Sequence, residues 1–352
     1  SLRTNLPRDL MAFMDYSFDS QGGGDDNWER YPHHTCVLRY LESFARDFNI
    51  LPLIRFNQQV TQLERIDRAL WRIRTSSGTD EEYDAVSVCN GHYSNPYVPQ
   101  INGATNFRGT FLHSHNYRNP EPFKDQSVAI LGAASSGADL SREVATTAKR
   151  VIWCGEQFSS PEQPPEQGIA TYSPPSGFNS LGELMFKDSH PIIVDSFIYC
   201  TGYRYEFQFI DESIVDVADN QVRPLYMDIL HTALPTLGFI GLPYLVIPFP
   251  LFEVQSRWFA QFLSGSLNVP DEAEMREALA ERNAKLMQTN AKDRHYHKLG
   301  EGQFDYINTL ASQCNSDLLP GWYELLASEA QQARQKDPEN FRSIALRHSG
   351  TT

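Results

Sequence analysis

Apolar side chains recur along this chain with the periods of helices and of strands. Between residues 35 and 48 they return every three or four positions, which predicts an amphipathic helix. Alternating patterns predict the strands of a small sheet, at Ile50–Phe56, Gln59–Ile66, Leu70–Thr75 and Asp84–Cys89. The last of these strands runs into the turn-forming pair Asn90-Gly91.

A second group of elements follows a connector that is rich in proline and glycine. A buried strand over 127–131, a helix over Ala138–Ala148 and a strand over Arg150–Cys154 predict a β-α-β unit. The segment 155–178 contains five prolines and three glycines, so we predict a loop that covers a ligand site. Further elements are predicted downstream: strands at Ile192–Cys200 and Thr236–Gly241, a helix at Glu253–Leu263, and mostly helices from Asp271 onward.

An internal repeat suggests how these groups are organised. Asp84–Gly91 and Asp195–Gly202 share the pattern D-x-x-x-x-C-x-G, and each is predicted as a strand that ends in a glycine turn. Such a turn is the place where an open α/β sheet presents backbone to a ligand. We therefore predict two crossings between a first domain (1–93 and 195–352) and an inserted second domain (94–194).

The turn after the strand at 127–131 is typical of a nucleotide-binding loop. Gly132, Ala134 and Gly137 read G-x-A-x-x-G between a strand and a helix, which is close to the dinucleotide-binding fingerprint. The backbone N–H groups and the helix N-terminus suit a diphosphate, and the hydroxyls of Ser135 and Ser136 could add donors. The alternative is a packing turn without a ligand, because the methyl group of Ala134 stands where the backbone should approach the pyrophosphate.

Glu156 occupies the region that should select the cofactor. It lies 24 positions after Gly132, near the end of the second strand of the β-α-β unit. An acidic residue there binds a ribose 2′-hydroxyl, whereas an arginine accommodates a 2′-phosphate. Glu156 therefore favours NADH over NADPH, and a solvated glutamate in a loop is the alternative.

A second signature precedes the glycine loop. Phe107, Gly109, His113 and Tyr117 form the pattern F-x-G-x-x-x-H-x-x-x-Y in the connector. We interpret His113 as a hinge or hydrogen-bonding residue and not as a general base. No histidine cluster has the neighbours of a metal site, and no P-loop or G-x-S-x-G elbow occurs.

Composition and charge narrow the class of protein. The 352 residues have room for two domains, and the net charge of −14 disfavours nucleic acid or an anionic membrane as partner. Five cysteines without a C-x-x-C pair indicate reduced thiols and a cytoplasmic location. No apolar run reaches the length of about 18 residues that a membrane span needs.

Together these motifs resemble the flavin-containing monooxygenase family. The connector signature stands directly before the glycine loop, and Leu2–Pro7 resembles the family's T-N-x-P segment. Cys200–Phe207 resembles the A-T-G-Y motif, and Glu253–Trp258 resembles the E-x-Q-x-R-W helix. The resemblance runs in order from residue 1 to about residue 265.

The resemblance implies an α/β fold with two Rossmann-like domains, in which an NAD(P)H domain is inserted into an FAD domain. It implies a monooxygenase that uses FAD, NADPH or NADH, and O2 to oxygenate a soft nitrogen or sulfur of a small molecule through a C4a-hydroperoxyflavin. Asn5 would be the catalytic residue beside the flavin. The implied cofactor-binding residues are Thr4, Asn5, Gly132, Ala134, Ser135, Ser136, Gly137, Ala138, Asp139, Glu156, Thr201, Gly202, Tyr203 and Gln255.

Two points leave alternatives open. The family's first G-x-G-x-x-G, which precedes T-N-x-P and holds the FAD pyrophosphate, does not occur in this sequence. Either a separate N-terminal fragment completes the FAD site, or the chain is a flavin-free module that binds a nicotinamide nucleotide. Tyr117, where Baeyer–Villiger relatives carry tryptophan, favours heteroatom oxygenation over Baeyer–Villiger or N-hydroxylating chemistry. The substrate and a homo-oligomeric state stay open.

Overall fold

The computed structural model describes residues 2–67, 69–161, 166–288 and 293–347. Its contacts divide the chain into unit 1, formed by Ser1–Gly91 and Tyr205–Thr352, and unit 2, formed by His92–Arg204. The α-helices are α1 (Arg8–Met11), α2 (His34–Asp47), α3 (Ser135–Ala145), α4 (Pro248–Leu263), α5 (Glu272–Gln288), α6 (Gln303–Gln313) and α7 (Trp322–Lys336). The strands are β1 (Val60–Asp67), β2 (Leu70–Thr75), β3 (Asp80–Tyr83), β4 (Val86–Val88), β5 (Asn95–Pro96), β6 (Thr110–His113), β7 (Ser127–Leu131), β8 (Arg150–Cys154), β9 (Gly168–Tyr172), β10 (Gly177–Phe178), β11 (Leu184–Met185), β12 (Ser196–Tyr199), β13 (Tyr203–Arg204), β14 (Leu225–Tyr226), β15 (Leu230–His231) and β16 (Leu237–Phe239).

Unit 2 contains a five-stranded parallel sheet with the strand order β6-β12-β7-β8-β9. Its central strand β7 has the fully buried residues Val128, Ala129 and Ile130, because a parallel sheet is covered on both faces. Helix α3 connects β7 to β8 and packs against both strands. The predicted β-α-β unit is therefore present, with the helix beginning at Ser135 and not at Ala138.

Strand β12 changes the expected division of the chain. The segment from residue 195 onward was expected in the first domain, but β12 pairs in parallel with β6 on one side and β7 on the other. The second crossing consequently falls after Arg204 and not before Asp195. Hydrogen bonding to β6 and β7 decides this assignment, and a strand pattern in sequence does not identify its neighbours.

Unit 1 contains two sheets and most of the helices. Strands β1, β2 and β3 form an antiparallel sheet, and a second sheet has the order β14-β15-β16-β4. Only β16 and β4 of this second sheet run parallel to each other. Helix α4 lies in the largest apolar cluster with its buried Trp258 and Phe259, together with residues of α6 and α7. Helices from Glu272 onward confirm the expected helical C-terminal region.

Two predicted segments have a different structure. Ile50–Phe56 was expected to be a strand, but it contains a single 3-10 turn at Leu51–Leu53, and Leu53 and Phe56 are 80% and 64% exposed. No neighbouring strand in the described ranges pairs with it, so its alternating pattern has nothing to bond to. The predicted loop 155–178 contains β9, which pairs with β8, while residues 162–165 of that loop lie outside the described residues.

A buried charged cluster stabilises the C-terminal part of unit 1. Both carboxylate oxygens of Asp228 accept hydrogen bonds from Arg282, at 2.8 and 3.1 Å, and Oδ1 lies 2.9 Å from Nδ1 of His297. Burial opposes ionisation of Asp228, but Arg282 and His297 outweigh it and hold the pKa of this carboxyl far below its usual range. Asp228 thus keeps its negative charge, and its bonds to Arg282 connect α5 to the segment before β15.

We expect Asp228→Asn to lower the free energy of unfolding by about 3 kcal/mol, because it leaves a partly buried guanidinium without its counter-charge. Chemical denaturation followed by tryptophan fluorescence measures the change. Glu272→Gln is the control, since it breaks an exposed pair with Arg276 and should cost less than about 1 kcal/mol. Equal effects of the two substitutions would contradict this role of Asp228.

Candidate cofactor-binding site

The glycine loop of unit 2 begins at a residue that must be glycine. Gly132 follows β7 with φ of +121°, a conformation that side chains rarely adopt. A Cβ at this position would lie 2.1 Å from the carbonyl oxygen of Cys200, which follows β12. The Gly132 N–H also donates to Cys154 O at 2.9 Å. The loop is therefore held between the ends of both neighbouring strands.

Gly137 allows helix α3 to approach the loop. A Cβ on Gly137 would lie 1.8 Å from the carbonyl oxygen of Gly132. That same oxygen accepts a hydrogen bond from the indole Nε1 of Trp153 at 3.0 Å. Close contact between the turn and the first helical turn is the function of the last glycine in a dinucleotide fingerprint. The predicted G-x-A-x-x-G thus has the backbone geometry of such a fingerprint.

The residues between the two glycines face solvent. Ala134 is the N-cap of α3 with an extended backbone, and both Ala134 and Ser136 are exposed. Ser135, Ala138 and Asp139 are half-buried in the first turn of the helix, and Ser135 and Asp139 make contacts within the protein. A helix N-terminus with exposed residues suits an anionic group.

The sheet order places this loop at a topological switch point. From β7 the chain continues to β8 on one side, while β12 and β6 lie on the other side. Ligands of open α/β sheets bind beyond the carboxyl ends of the strands at such a point. Glu156 follows β8 and is exposed, and Gly202 follows β12 with φ of +85° and open space where a side chain would extend. The structure thus places several predicted site residues at one edge of the sheet.

His113 braces this edge as a neutral side chain. Its Nδ1 accepts a hydrogen bond from the His115 N–H at 3.1 Å, so its Nε2 carries the proton and donates to Gly202 O at 3.1 Å. Burial lowers the pKa of His113, because the charged ring would lose solvation. Tyr203 packs on the His113 ring at a centroid distance of 5.3 Å. These contacts match the hydrogen-bonding role expected for His113.

The other residues of the connector signature have packing contacts. Phe107 stacks on Phe178 at 4.7 Å, and a Cβ on Gly109 would lie 2.2 Å from Asp195 O, beside the start of β12. Tyr117 stacks on Phe123 at 6.0 Å, and burial raises the pKa of its phenol. The residues of the signature therefore pack around the edge strand β6 within unit 2. A hinge movement at these residues stays a prediction.

Unit 1 contains the remaining predicted residues. Asn5 is exposed, whereas Thr4 is held by its own hydroxyl, which donates to Leu6 O at 2.8 Å, and by Arg342, whose Nε donates to Thr4 O at 2.9 Å. Gln255 is fully buried, and both ends of its amide are bonded within the protein, to Gly241 N and to the Tyr306 hydroxyl. These bonds indicate positioning by Gln255; cofactor contact at this residue stays a prediction.

Sequence reasoning missed Gly241 and Tyr306. Gly241 has φ of +84° after β16, and Tyr306 on α6 reaches Gln255 with its hydroxyl group. A glycine at the end of the predicted strand Thr236–Gly241 was a visible signal for the first, but no local signal marked the second. Within the described ranges, no group of three or more His, Cys, Asp or Glu side chains could hold a metal ion. Among the same residues, none of the helices is long and apolar enough to cross a membrane.

We expect Gly137→Ala to abolish binding of NADPH or NADH to unit 2 and to lower the thermal stability of the protein, because the methyl group collides with the Gly132 carbonyl. Gly168→Ala is the control: Gly168 also has a positive φ of +83°, but no atom lies within 4 Å of the added Cβ. It should cost about 1–2 kcal/mol from backbone strain alone. Thermal shift and fluorescence titration with either cofactor measure both effects. Full binding by Gly137→Ala would contradict the assigned loop.

His113 should make unit 2 less stable as the pH falls. The pKa of His113 is lowered in the folded state, so its neutral ring stabilises the fold fully above the unfolded-state pKa of about 6.5. This contribution to stability is lost as the pH falls below that value. His113→Gln should therefore show a smaller decrease in Tm between pH 7.5 and 5.5 than the wild type. The exposed neighbour His115 provides the control as His115→Gln. An unchanged pH dependence in His113→Gln would contradict this assignment.

Comparison with known proteins identifies a family. The flavin-binding monooxygenase-like (FMO-like) family matches residues 1–159 and 183–323. Flavin-containing monooxygenase FMO GS-OX-like 2 from Arabidopsis thaliana is 39% identical over 348 residues, which cover 92% of this chain and 73% of that protein. FMO GS-OX5 from the same plant is 37% identical and covers 96% of this chain and 77% of its own length.

Solved structures agree in fold. The S-allyl-L-cysteine S-oxygenase from Allium sativum superimposes with a TM-score of 0.92 at 36% identity, covering 98% of this chain and 80% of that chain. Tmm from Pelagibacter sp. strain HTCC7211 has a TM-score of 0.83 at 21% identity, covering 99% and 80%, and supports the fold alone. The expected α/β class, the flavin and nicotinamide cofactors and the monooxygenase class are confirmed. The chain therefore belongs to the flavin-containing monooxygenase family.

Proposed function

We propose that this protein oxygenates the sulfur atom of a small organic sulfide. The observation that carries the proposal is the likeness, over 98% of the chain at 36% identity, to an enzyme that acts as an S-allyl-L-cysteine S-oxygenase. A sulfide sulfur is a soft nucleophile, so the protein has to position it and needs little acid–base chemistry of its own. Neutral, buried His113 agrees with that requirement. Tyr117, as the residue at its motif position, supports heteroatom oxygenation.

Unit 2 would hold the nicotinamide cofactor. The loop from Gly132 to Gly137 has the backbone path that a pyrophosphate needs, and α3 directs its first N–H groups toward the same space. Ser135, Ser136, Ala138 and Asp139 would line the phosphate end, and exposed Glu156 would meet the ribose. Thr201, Gly202 and Tyr203 would border the cofactor from the end of β12.

Unit 1 would hold the FAD. When it is bound, the flavin accepts a hydride from the nicotinamide cofactor and activates O2. Gly91 lies three residues after β4, with φ of +72° and open space where a side chain would extend, and would let backbone approach the flavin nucleotide. Exposed Asn5 and the adjacent Thr4 would face the flavin ring, with Asn5 as the catalytic residue. These residues fit one side of such a site and lack a first glycine fingerprint.

A further β-α segment carrying that fingerprint would complete unit 1, whichever polypeptide supplies it. Strand β4 pairs with β16 along one edge, and no strand in the described ranges covers its other edge. An unpaired strand edge leaves backbone N–H and C=O groups with which a further strand could pair. The exposed apolar side chains of Leu53 and Phe56 add an uncovered apolar surface to unit 1.

The proposed location is the cytoplasm. All five cysteines are free, and Cys154, Cys200 and Cys314 are buried as thiols. A reducing compartment keeps such thiols unpaired. We also propose a homo-oligomer, and light scattering of the purified protein measures the oligomeric state.

The substrate proposal is tested with S-allyl-L-cysteine. We expect a purified, yellow protein that forms the sulfoxide with NADPH or NADH and O2, detected by mass spectrometry, alone or after co-expression with the part of the Allium enzyme that this chain does not cover. Asn5→Ala should lower kcat at least tenfold, equal to about 1.4 kcal/mol in the barrier. Asn27→Ala, at an exposed asparagine, is the control. Formation of a lactone from a cyclic ketone instead would indicate Baeyer–Villiger chemistry. A hydroxylamine product would indicate an N-hydroxylating enzyme. Binding of a nicotinamide nucleotide without flavin would indicate a binding module.

Cofactor preference is tested at Glu156. We expect Glu156→Arg to raise the ratio of kcat/KM for NADPH over NADH at least tenfold, because the arginine attracts the 2′-phosphate that the carboxylate repels. Glu166→Arg, at an exposed glutamate on the same unit, is the control for a change in net charge. An unaltered ratio in Glu156→Arg would show that this position does not contact the ribose.

A further inference from the structure

A chain of hydrogen bonds, buried at Gly241 and partly buried at Tyr306, runs through unit 1 from α6 to the turn after β16. The Tyr306 hydroxyl donates to Met227 O at 2.6 Å and accepts from Gln255 Nε2 at 2.8 Å. Gln255 Oε1 in turn accepts from Gly241 N at 2.9 Å. Three consecutive bonds therefore connect the segment at Met227 to the turn at Gly241 through two side chains.

Each bond determines the direction of the next. The Gly241 N–H can only donate, so Gln255 must present its oxygen there and its NH2 group to Tyr306. The phenol that accepts from this NH2 has its own proton available only for the Met227 carbonyl. Burial raises the pKa of Tyr306, which keeps the donating proton in place. The chain of bonds thus has one arrangement and not two.

The far end of this chain of bonds is anchored by charge. Met227 and Asp228 both have left-handed backbone conformations, with φ of +53° and +55°. Asp228 is held by Arg282 from α5 and by His297, whose Nε2 accepts from Val222 N at 2.9 Å. A backbone in this unfavourable region persists only when its surroundings hold it. The buried ion pair therefore fixes the carbonyl to which Tyr306 donates.

The near end lies at the edge of the sheet where a ligand would bind. Gly241 follows β16, and Gly91 follows its parallel neighbour β4. The carboxyl ends of two parallel strands lie at the same edge, and both residues have positive φ values of +84° and +72°. In the turn after β16, the backbone N–H of Gly241 donates to the buried side chain of Gln255. The orientation of this turn consequently depends on Gln255.

We propose that Tyr306 and Gln255 are positioning residues that fix the backbone at Gly241, and that through them the C-terminal helices determine the geometry of the flavin-binding edge of unit 1. The ordering of the turn is independent of any cofactor, whereas its effect on flavin rests on the proposed function. The role also fits the glutamine at this point of the E-x-Q-x-R-W helix, because its amide accepts from Gly241 with its oxygen and donates to Tyr306 with its NH2 group.

Hydrogen–deuterium exchange of the full chain without added cofactor tests the ordering of the turn. Tyr306→Phe removes one hydroxyl group and should raise exchange about fivefold in the peptide covering 238–246. Tyr323→Phe is the matched control, since Tyr323 is equally aromatic, buried on α7 and belongs to the same apolar cluster. Unchanged exchange in Tyr306→Phe, or the same increase in both variants, would overturn the proposal.

Gln255→Met provides a second variant if Tyr306→Phe does not fold. The thioether keeps the length of the side chain but has no N–H group for Tyr306 and is only a weak acceptor for Gly241, so exchange at 238–246 should again rise above wild type. In flavin-loaded protein, both variants should raise the dissociation constant for FAD several-fold without changing the NADPH dissociation constant of unit 2. If exchange at 238–246 rises but the dissociation constant for FAD is unaltered, the proposed effect of these residues on the flavin-binding edge is overturned. A wild type that binds no flavin would contradict the proposed function, while the exchange result still decides the role of Tyr306.

Discussion

A β-strand is stable only when its backbone pairs with at least one neighbouring strand, and this constraint organises both units. In unit 2, five parallel strands meet it by pairing in the order β6-β12-β7-β8-β9, which puts the most apolar strand, β7, at the centre. In unit 1, β16 and β4 pair in parallel and leave one edge of β4 open among the described residues. The same constraint places the two copies of the internal repeat in different units. Strand β4 pairs with β16 in unit 1, and β12 pairs with β6 and β7 in unit 2.

The pairing of strands then dictates where glycine is needed. Because β7 lies between β12 and β8, the turn at Gly132 must pass within bonding distance of both Cys154 and the backbone after β12. There is no room for a side chain at Gly132 or at Gly137, so the loop has a single backbone path. Ala134, the one position that differs from the fingerprint, is exposed, so its methyl group does not alter that path. This explains how a G-x-A-x-x-G sequence can retain the geometry of a nucleotide-binding loop.

Buried polar side chains complete the framework by bracing the turns. His113 holds the carbonyl of Gly202 in unit 2, and Gln255 holds the N–H of Gly241 in unit 1. Both satisfy their two hydrogen-bonding ends within the protein, and a buried group that lost one partner would be costly. Residues of the family motifs would therefore act on the proposed cofactor sites indirectly, by fixing the backbone at their edge.

The amino-acid sequence alone determined the α/β class, the β-α-β unit, the glycine loop and the family, because these depend on local patterns of apolar residues and glycines. The strands Leu70–Thr75 and Arg150–Cys154 have the predicted bounds for the same reason. Only the tertiary structure decided that β12 belongs to unit 2, that Ile50–Phe56 is not a strand, and that Gln255 meets Tyr306, 51 positions away. Each of these depends on which distant segment supplies the hydrogen-bonding partner, and a local pattern shows that a partner is needed without showing which segment provides it.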